Sequence, residues 1–357
     1  MFYATKFLRA KALMMNDRHY TEVSIGVGER AVQMAQTVQI NEFGGPEVMQ
    51  LVQIPDRQPG AGEVLVRHTA IGVNFIDTYH RSGLYPLKMP AGLGLEAAGV
   101  VTAVGSGVTG VVIGDRVAYA SQPPGAYASE RVVAANRVVV LPEGIDEATA
   151  AASMLKGFTA WYLLFKSYRV QAGDTVLLYA AAGGVGLIAS QWAHSLGARV
   201  IGVVSTEAKA ELARANGCAE IVMAGDPDFV ARVRELTGAD GVAAVYDSVG
   251  QDTFIQSLDC LRRHGTMVTY GNASGPVKPF SPLELAARGS LYLTRPVLFD
   301  FIADQAGLHA ARDALFAVLT SGAVNVSINH EYALADVAQA HSDLETRRTS
   351  GSIVLRP

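Results

Sequence analysis

Val176-Leu177-Leu178-Tyr179-Ala180-Ala181-Ala182-Gly183-Gly184-Val185-Gly186 carries the strongest structural signal in this chain. Its first four residues are apolar and read as a buried strand. Small residues follow, with Gly183 and Gly186 spaced as a glycine pair. Leu187, Ile188, Gln191, Trp192 and Leu196 then recur at helical spacing. Strand, small-residue turn and helix in that order make a phosphate cradle. The turn lets backbone approach an anion, and the helix N-terminus supplies free N–H groups and partial positive charge. A tight strand–helix turn can need glycine for its own geometry, so the wider pattern matters.

Working outward, strands predicted over 175–179, 199–204, 221–223, 242–247 and 266–270 alternate with helices predicted over 184–196, 206–216, 228–237, 251–261 and 308–321. That alternation implies an α/β fold with a doubly wound parallel sheet, and 291–294 would be a sixth, edge strand. Upstream the rhythm differs. Residues 36–40, 49–53, 63–71, 95–104, 116–120 and 131–141 read as strands bounded by Gly, Pro or Asn turns, with weak helical patterning until 146–155 and 159–168. The tail, with strands at 329–334 and 352–355 around a helix at 336–346, is expected to return to this β-rich part. The domain reading is therefore 34–160 β-rich, 161–325 dinucleotide-binding and 326–357 returning. Residues 1–33 are expected to be a poorly ordered extension, with a transit peptide as the alternative.

At the tip of the second strand stands Val203-Val204-Ser205-Thr206, without the Asp or Glu that would bind a ribose 2′-hydroxyl. Two hydroxyls and Lys209 one turn later can receive a 2′-phosphate, so the expectation is NADP, although Glu207 and Glu211 lie nearby. Ser248 and Asn272 follow the fourth and fifth strands at the ligand-binding edge of the sheet, as ribose or nicotinamide contacts; Asn272 can alternatively cap a turn.

Half of the 357 residues are hydrophobic and 17% are charged, the composition of a well-packed globular chain. The net charge of −4 offers no field for nucleic acid or anionic membrane, and no apolar run is long enough to span a bilayer. Two cysteines without a C-x-x-C pattern give neither a disulfide framework nor a structural zinc loop, so a reducing, cytoplasmic setting is expected.

Gly72-Val73-Asn74-Phe75-Ile76-Asp77-Thr78-Tyr79, Arg81-Ser82-Gly83-Leu84-Tyr85-Pro86, Gly94-Leu95-Glu96-Ala97-Ala98-Gly99, Gly114-Asp115-Arg116-Val117, Lys156-Gly157-Phe158-Thr159 and Thr294-Arg295-Pro296 carry a resemblance. Over 34–357 the chain resembles the zeta-crystallin-like, zinc-independent quinone oxidoreductases of the medium-chain dehydrogenase/reductase superfamily. The resemblance implies a GroES-like catalytic domain split around a Rossmann domain, NADPH in the cleft between them, and homodimers joined along the edges of the Rossmann sheets. The superfamily's zinc-ligand positions hold Asn74 and Leu95, which leaves no thiolate or imidazole there and makes the expected metal set none.

Carried over residue by residue, the resemblance places Asn74 near the nicotinamide and Lys156 and Thr159 on the helix beside it. Ala182, Gly183, Gly184, Val185 and Gly186 line the pyrophosphate. Ser205, Thr206, Lys209 and Arg347 meet the 2′-phosphate. Ser248, Tyr270, Asn272, Ser274 and Leu293 form the adenosine and nicotinamide walls. One departure is Ile221-Val222-Met223-Ala224-Gly225, where relatives place a Tyr near the adenine. Tyr79 and Tyr85 would shape a site for a flat acceptor or equally serve as packing residues at the domain seam, and Arg295, with Arg81, would stabilise negative charge on the acceptor or serve in ion pairs. His68 and His80 read as surface imidazoles. The expected reaction is metal-free hydride transfer from NADPH to a quinone. An enal or enone reductase is the alternative, and a non-enzymatic binding protein a more distant one.

Overall fold

The computed structural model describes residues 34–55 and 57–357, so the extension read over 1–33 lies outside the described residues. Thr175–Tyr179, the strand that leads into the glycine turn, sits inside a six-stranded parallel sheet. The order across it is Cys218–Met223, Arg199–Val204, Thr175–Tyr179, Val242–Asp247, Leu261–Thr269 and Tyr292–Thr294. The order reverses beside Thr175–Tyr179, the topological switch where ligands of such sheets bind. Its central strands are buried on both faces under helices, which is why they read as continuous apolar runs.

A seven-stranded sheet forms the β-rich part, around Glu63–Val73, Glu96–Val104 and Arg116–Ala120. Ser352–Arg356 pairs antiparallel with Glu63–Val73, and Ile328–Ala333 pairs with Ser352–Arg356. Met34–Ile40 and Gln50–Pro55 form a separate small sheet with Ala91–Gly92.

Four expectations are corrected. The strand read over 131–141 is two strands, Glu130–Ala134 and Val139–Val140, separated by a tight turn at Ala135–Arg137. The two helices read over 146–155 and 159–168 are one, Glu147–Tyr162, which widens into a π turn at Leu163–Ser167. Gly157 does not break it. A Cβ there would meet Leu315 Cδ1 at 2.5 Å, so the glycine lets helix Gln305–Thr320 pack close. The last strand before the edge begins at Leu261 rather than 266. Finally, the weak helical patterning read before 146 hid the helix Phe75–Ser82, started by a capping box in which the Asn74 backbone N–H donates to Asp77 Oδ2 at 2.9 Å.

Candidate functional site

A cleft of about 1030 Å³ lies between the two large sheets. Its floor on one side is the turn after Thr175–Tyr179. Helix Gly184–Ser195 starts there with Gly183 as an extended N-cap, without a side-chain cap and without an acid in its first turn. Its leading N–H groups are therefore uncommitted and face a site suited to an anion. Gly186 is required by the turn itself, since a Cβ would meet the Ala180 carbonyl oxygen at 2.2 Å. Gly184 makes room for a side chain: a Cβ there would lie 2.7 Å from Cδ of Lys156.

Lys156 belongs to a buried polar knot. Its Nζ lies 2.8 Å from Oε1 of Glu96, which also accepts from Asn74 Nδ2 at 2.7 Å. The other Glu96 oxygen accepts from the Leu155 backbone N–H at 2.6 Å. Glu96 is fully buried, and Gly72 must lack a side chain because a Cβ would lie 2.2 Å from its Oε1. The sequence reading passed over Glu96. A single acid in the apolar run 93–104 was the available signal, because a buried carboxylate needs partners. Thr159 lines the cleft one turn on, with its hydroxyl donating to the Leu155 carbonyl at 2.7 Å.

Behind Asn74, Asp77 is buried and accepts from Tyr127 Oη at 2.7 Å, while its other oxygen has no partner among the described residues. Burial raises its pKa from an ordinary 3.8 to about 7. Arg81 does not reach the cleft. It pairs with Glu345 at 2.7 Å and contacts His341, which is the structural alternative allowed for it. His68 and His80 are buried, correcting the surface reading; both sit on elements whose inner faces are covered, Glu63–Val73 and Phe75–Ser82.

Two tyrosines bridge the cleft. Tyr79 Oη accepts from the Asn272 backbone N–H at 2.8 Å. Tyr85 Oη contacts Arg295 at 3.0 Å and the Asn272 amide at 3.0 Å. With the amide oxygen facing this pair, Asn272 accepts from both and donates its nitrogen to the Gly271 carbonyl at 3.0 Å. Tyr85 is thereby committed on both sides. Tyr79 keeps its own hydrogen free, and burial holds that phenol protonated by pushing its pKa up to about 12.

At the far end, Ser205, Lys209 and Arg347 line the same cleft. Lys209 Nζ donates to the Arg347 backbone carbonyl at 2.8 Å, and the two cations are close enough that Arg347, after burial, helps lower the Lys209 pKa. Like charges gathered in a cleft call for an anion between them. Ala182, Val185, Ser248 and Tyr270 also line it. Four predicted residues do not. Thr206 caps helix Glu207–Ala215 by accepting from the Lys209 N–H. Asn272 acts from behind through the two tyrosines. Ser274 closes a turn between the Val249 carbonyl and the Asp252 N–H. Leu293 packs in the apolar layer of the parallel sheet.

Two family models match, the alcohol dehydrogenase GroES-like domain over residues 60–166 and the zinc-binding dehydrogenase over 184–301. A quinone oxidoreductase of Pseudomonas aeruginosa is 49% identical over 91% of this chain and 100% of its own length. The crystal structure of Escherichia coli quinone oxidoreductase complexed with NADPH superposes with a TM-score of 0.88 at 46% identity, covering 90% of this chain and all of that one. A 2-haloacrylate reductase from Burkholderia is 44% identical over 91% of this chain and 99% of its own length. The chain belongs to the quinone oxidoreductases of the medium-chain dehydrogenase/reductase superfamily.

Within that family the two positions read as lost zinc ligands have other duties here. Asn74 serves Glu96, and Leu95 is fully buried in the apolar core. The raised Asp77 pKa has a consequence for stability. A carboxyl whose pKa is higher folded than unfolded stabilises below the unfolded value and loses that contribution as pH rises through the folded one. Wild-type protein is therefore expected to lose stability relative to Asp77→Asn between pH 4 and about 7. Urea unfolding at several pH values reads this, and parallel pH profiles for the two proteins would refute it.

Proposed function

We propose that the chain is an NADPH-dependent quinone reductase. The observation that carries the cofactor choice is the meeting of Lys209 and Arg347 beside Ser205, at a strand tip without an acid. NADPH, when bound, supplies the hydride. The N–H groups after Gly183 would hold its pyrophosphate, and Lys209 and Arg347 would hold the 2′-phosphate. Ser248 and Tyr270 line the dinucleotide's path, and Asn74, fixed by Glu96, orients its reactive end. In this reading 161–325 carries most of the cofactor site, while 34–160 with 326–357 supply most of the acceptor wall together with Asn74 and Arg347 for the cofactor.

The acceptor lies against Tyr79 and Tyr85. Hydride addition to a quinone leaves negative charge on an oxygen, and a proton must follow to give the hydroquinone. Tyr79, whose oxygen already accepts from Asn272, donates its free O–H to that oxygen and stabilises the charge. Tyr85 and Arg295 hold the wall and the domain seam. Buried, unpaired Cys218 and Cys260 suit a cytoplasmic setting.

Fluorescence titration with NADPH and NADH, repeated on Lys209→Ala, tests the cofactor assignment. NADPH is expected to bind more tightly, and the substitution to weaken NADPH about tenfold while sparing NADH, the loss of one charge-assisted contact. Equal affinities in the wild type would overturn it.

The 2-haloacrylate reductase relative supports a second reading, reduction of an activated alkene in the same cleft. NADPH oxidation with 1,2-naphthoquinone and with a 2-alkenal at equal concentration separates the two. The quinone is expected to react faster, and faster turnover of the alkenal would reverse the order of the readings.

The edge strand Tyr292–Thr294 leaves one side of the parallel sheet open, with Tyr292 63% exposed. We propose that two copies pair there into a homodimer. Light scattering is expected to give twice the chain mass, and a monomeric mass at micromolar concentration would refute the pairing.

A further inference from the structure

Among the described residues, three histidines are buried at the side-chain level within the β-rich part and its returning tail: His68, His80 and His341. Two have partners on both ring nitrogens. His68 contacts the Ala128 carbonyl at 2.7 Å and Tyr119 Oη at 2.9 Å. His341 contacts Arg81 at 3.1 Å and Tyr127 Oη at 2.9 Å. His80 is 5% exposed, and neither of its nitrogens makes a hydrogen bond to another described residue. A buried polar group without a partner calls for one.

The position of the ring says where that partner comes from. His80 lines the cleft with Tyr79 and Tyr85, and its ring stands edge-on to Tyr85 with centroids 6.1 Å apart. Its Nδ1 is enclosed by protein. A proton on Nδ1 would bury an orphan N–H, the costlier of the two mismatches, so the favoured tautomer carries the proton on Nε2.

We infer that His80 is an acceptor-binding residue, whose Nε2–H donates a hydrogen bond to a carbonyl oxygen of the electron acceptor seated against Tyr79 and Tyr85. This deepens the quinone-reductase reading and rests on it. Burial lowers the imidazole pKa to about 4, so the ring is a neutral donor at physiological pH. It therefore holds and polarises the carbonyl without giving up a proton, and Tyr79 keeps the task of stabilising the oxygen that gains charge.

The test is steady-state oxidation of NADPH with 1,2-naphthoquinone by full-length His80→Leu and His80→Gln, with NADPH affinity measured separately by fluorescence. The leucine variant is expected to raise KM for the quinone about tenfold, the size of one hydrogen bond to a desolvated group, with NADPH affinity unchanged. The glutamine variant, which restores an N–H donor, is expected to recover most of that loss. If the leucine variant matches wild type in KM and kcat, or if glutamine is as impaired as leucine, the assignment is wrong. Should the leucine variant not fold, His80→Phe carries the same expectation. Failure of the wild type to oxidise NADPH with any quinone overturns the reductase reading itself, a result distinct from a silent substitution.

Discussion

The carboxylate of Glu96 is the constraint on which the site depends. It lies fully buried at the start of a central strand of the β-rich sheet, where an unpaired charge would cost several kcal/mol. Lys156, the Asn74 amide and the Leu155 N–H neutralise and saturate it. Each partner brings a different element with it. Asn74 starts the helix that carries Tyr79 and His80, and Lys156 lies on the long helix between the two sheets. The stem of Lys156 then occupies the space that Gly184 leaves open, so the knot reaches the phosphate turn itself. One buried charge thus sets the register between the helix that carries Tyr79 and the glycine turn.

The rest of the cleft is held by contacts between chain segments far apart in sequence. Tyr79 and Tyr85 meet Asn272 and Arg295 across its mouth. The Gly351 N–H donates to the Ala182 carbonyl at 3.0 Å, which pins the returning tail against the turn. The same tail carries Arg347 to Lys209 before its last strand joins the β-rich sheet. The Lys209–Arg347 charge cluster, proposed to select the cofactor, is therefore assembled by the tail and not by the nucleotide-binding unit alone. The Glu96 knot that fixes the geometry is buried and paired, while the groups proposed to meet ligands are uncommitted among the described residues: helix N–H groups, the Tyr79 hydrogen and the His80 ring.

Much of this was legible in the residues. Alternating buried strands and amphipathic helices fixed the parallel sheet, because burial on both faces writes continuous apolar runs. The glycine turn and the acid-free strand tip marked two candidate phosphate sites from local chemistry alone. What escaped depends on distance in the chain. Glu96 finds Lys156 sixty positions on, and nothing local marks the pair. The helix expected to stop at 155 runs on through Gly157, whose packing partner Leu315 is far away in sequence. Helix Phe75–Ser82 was masked by its aromatic and β-branched residues, although its capping box was written at Asn74 and Asp77. Burial of His68 and His80 likewise follows from tertiary packing that one-dimensional patterns do not carry.

On the proposed reading, one cleft holds NADPH under the glycine turn with its reactive end at the acceptor wall. Anaerobic single-turnover oxidation of NADPH and of NADPH deuterated at nicotinamide C4, by the full-length protein with 1,2-naphthoquinone, tests it most directly. Direct hydride transfer in the cleft is expected to be saturable in both reactants and slower with the deuterated donor. Oxidation that neither saturates nor depends on protein concentration would contradict that reading.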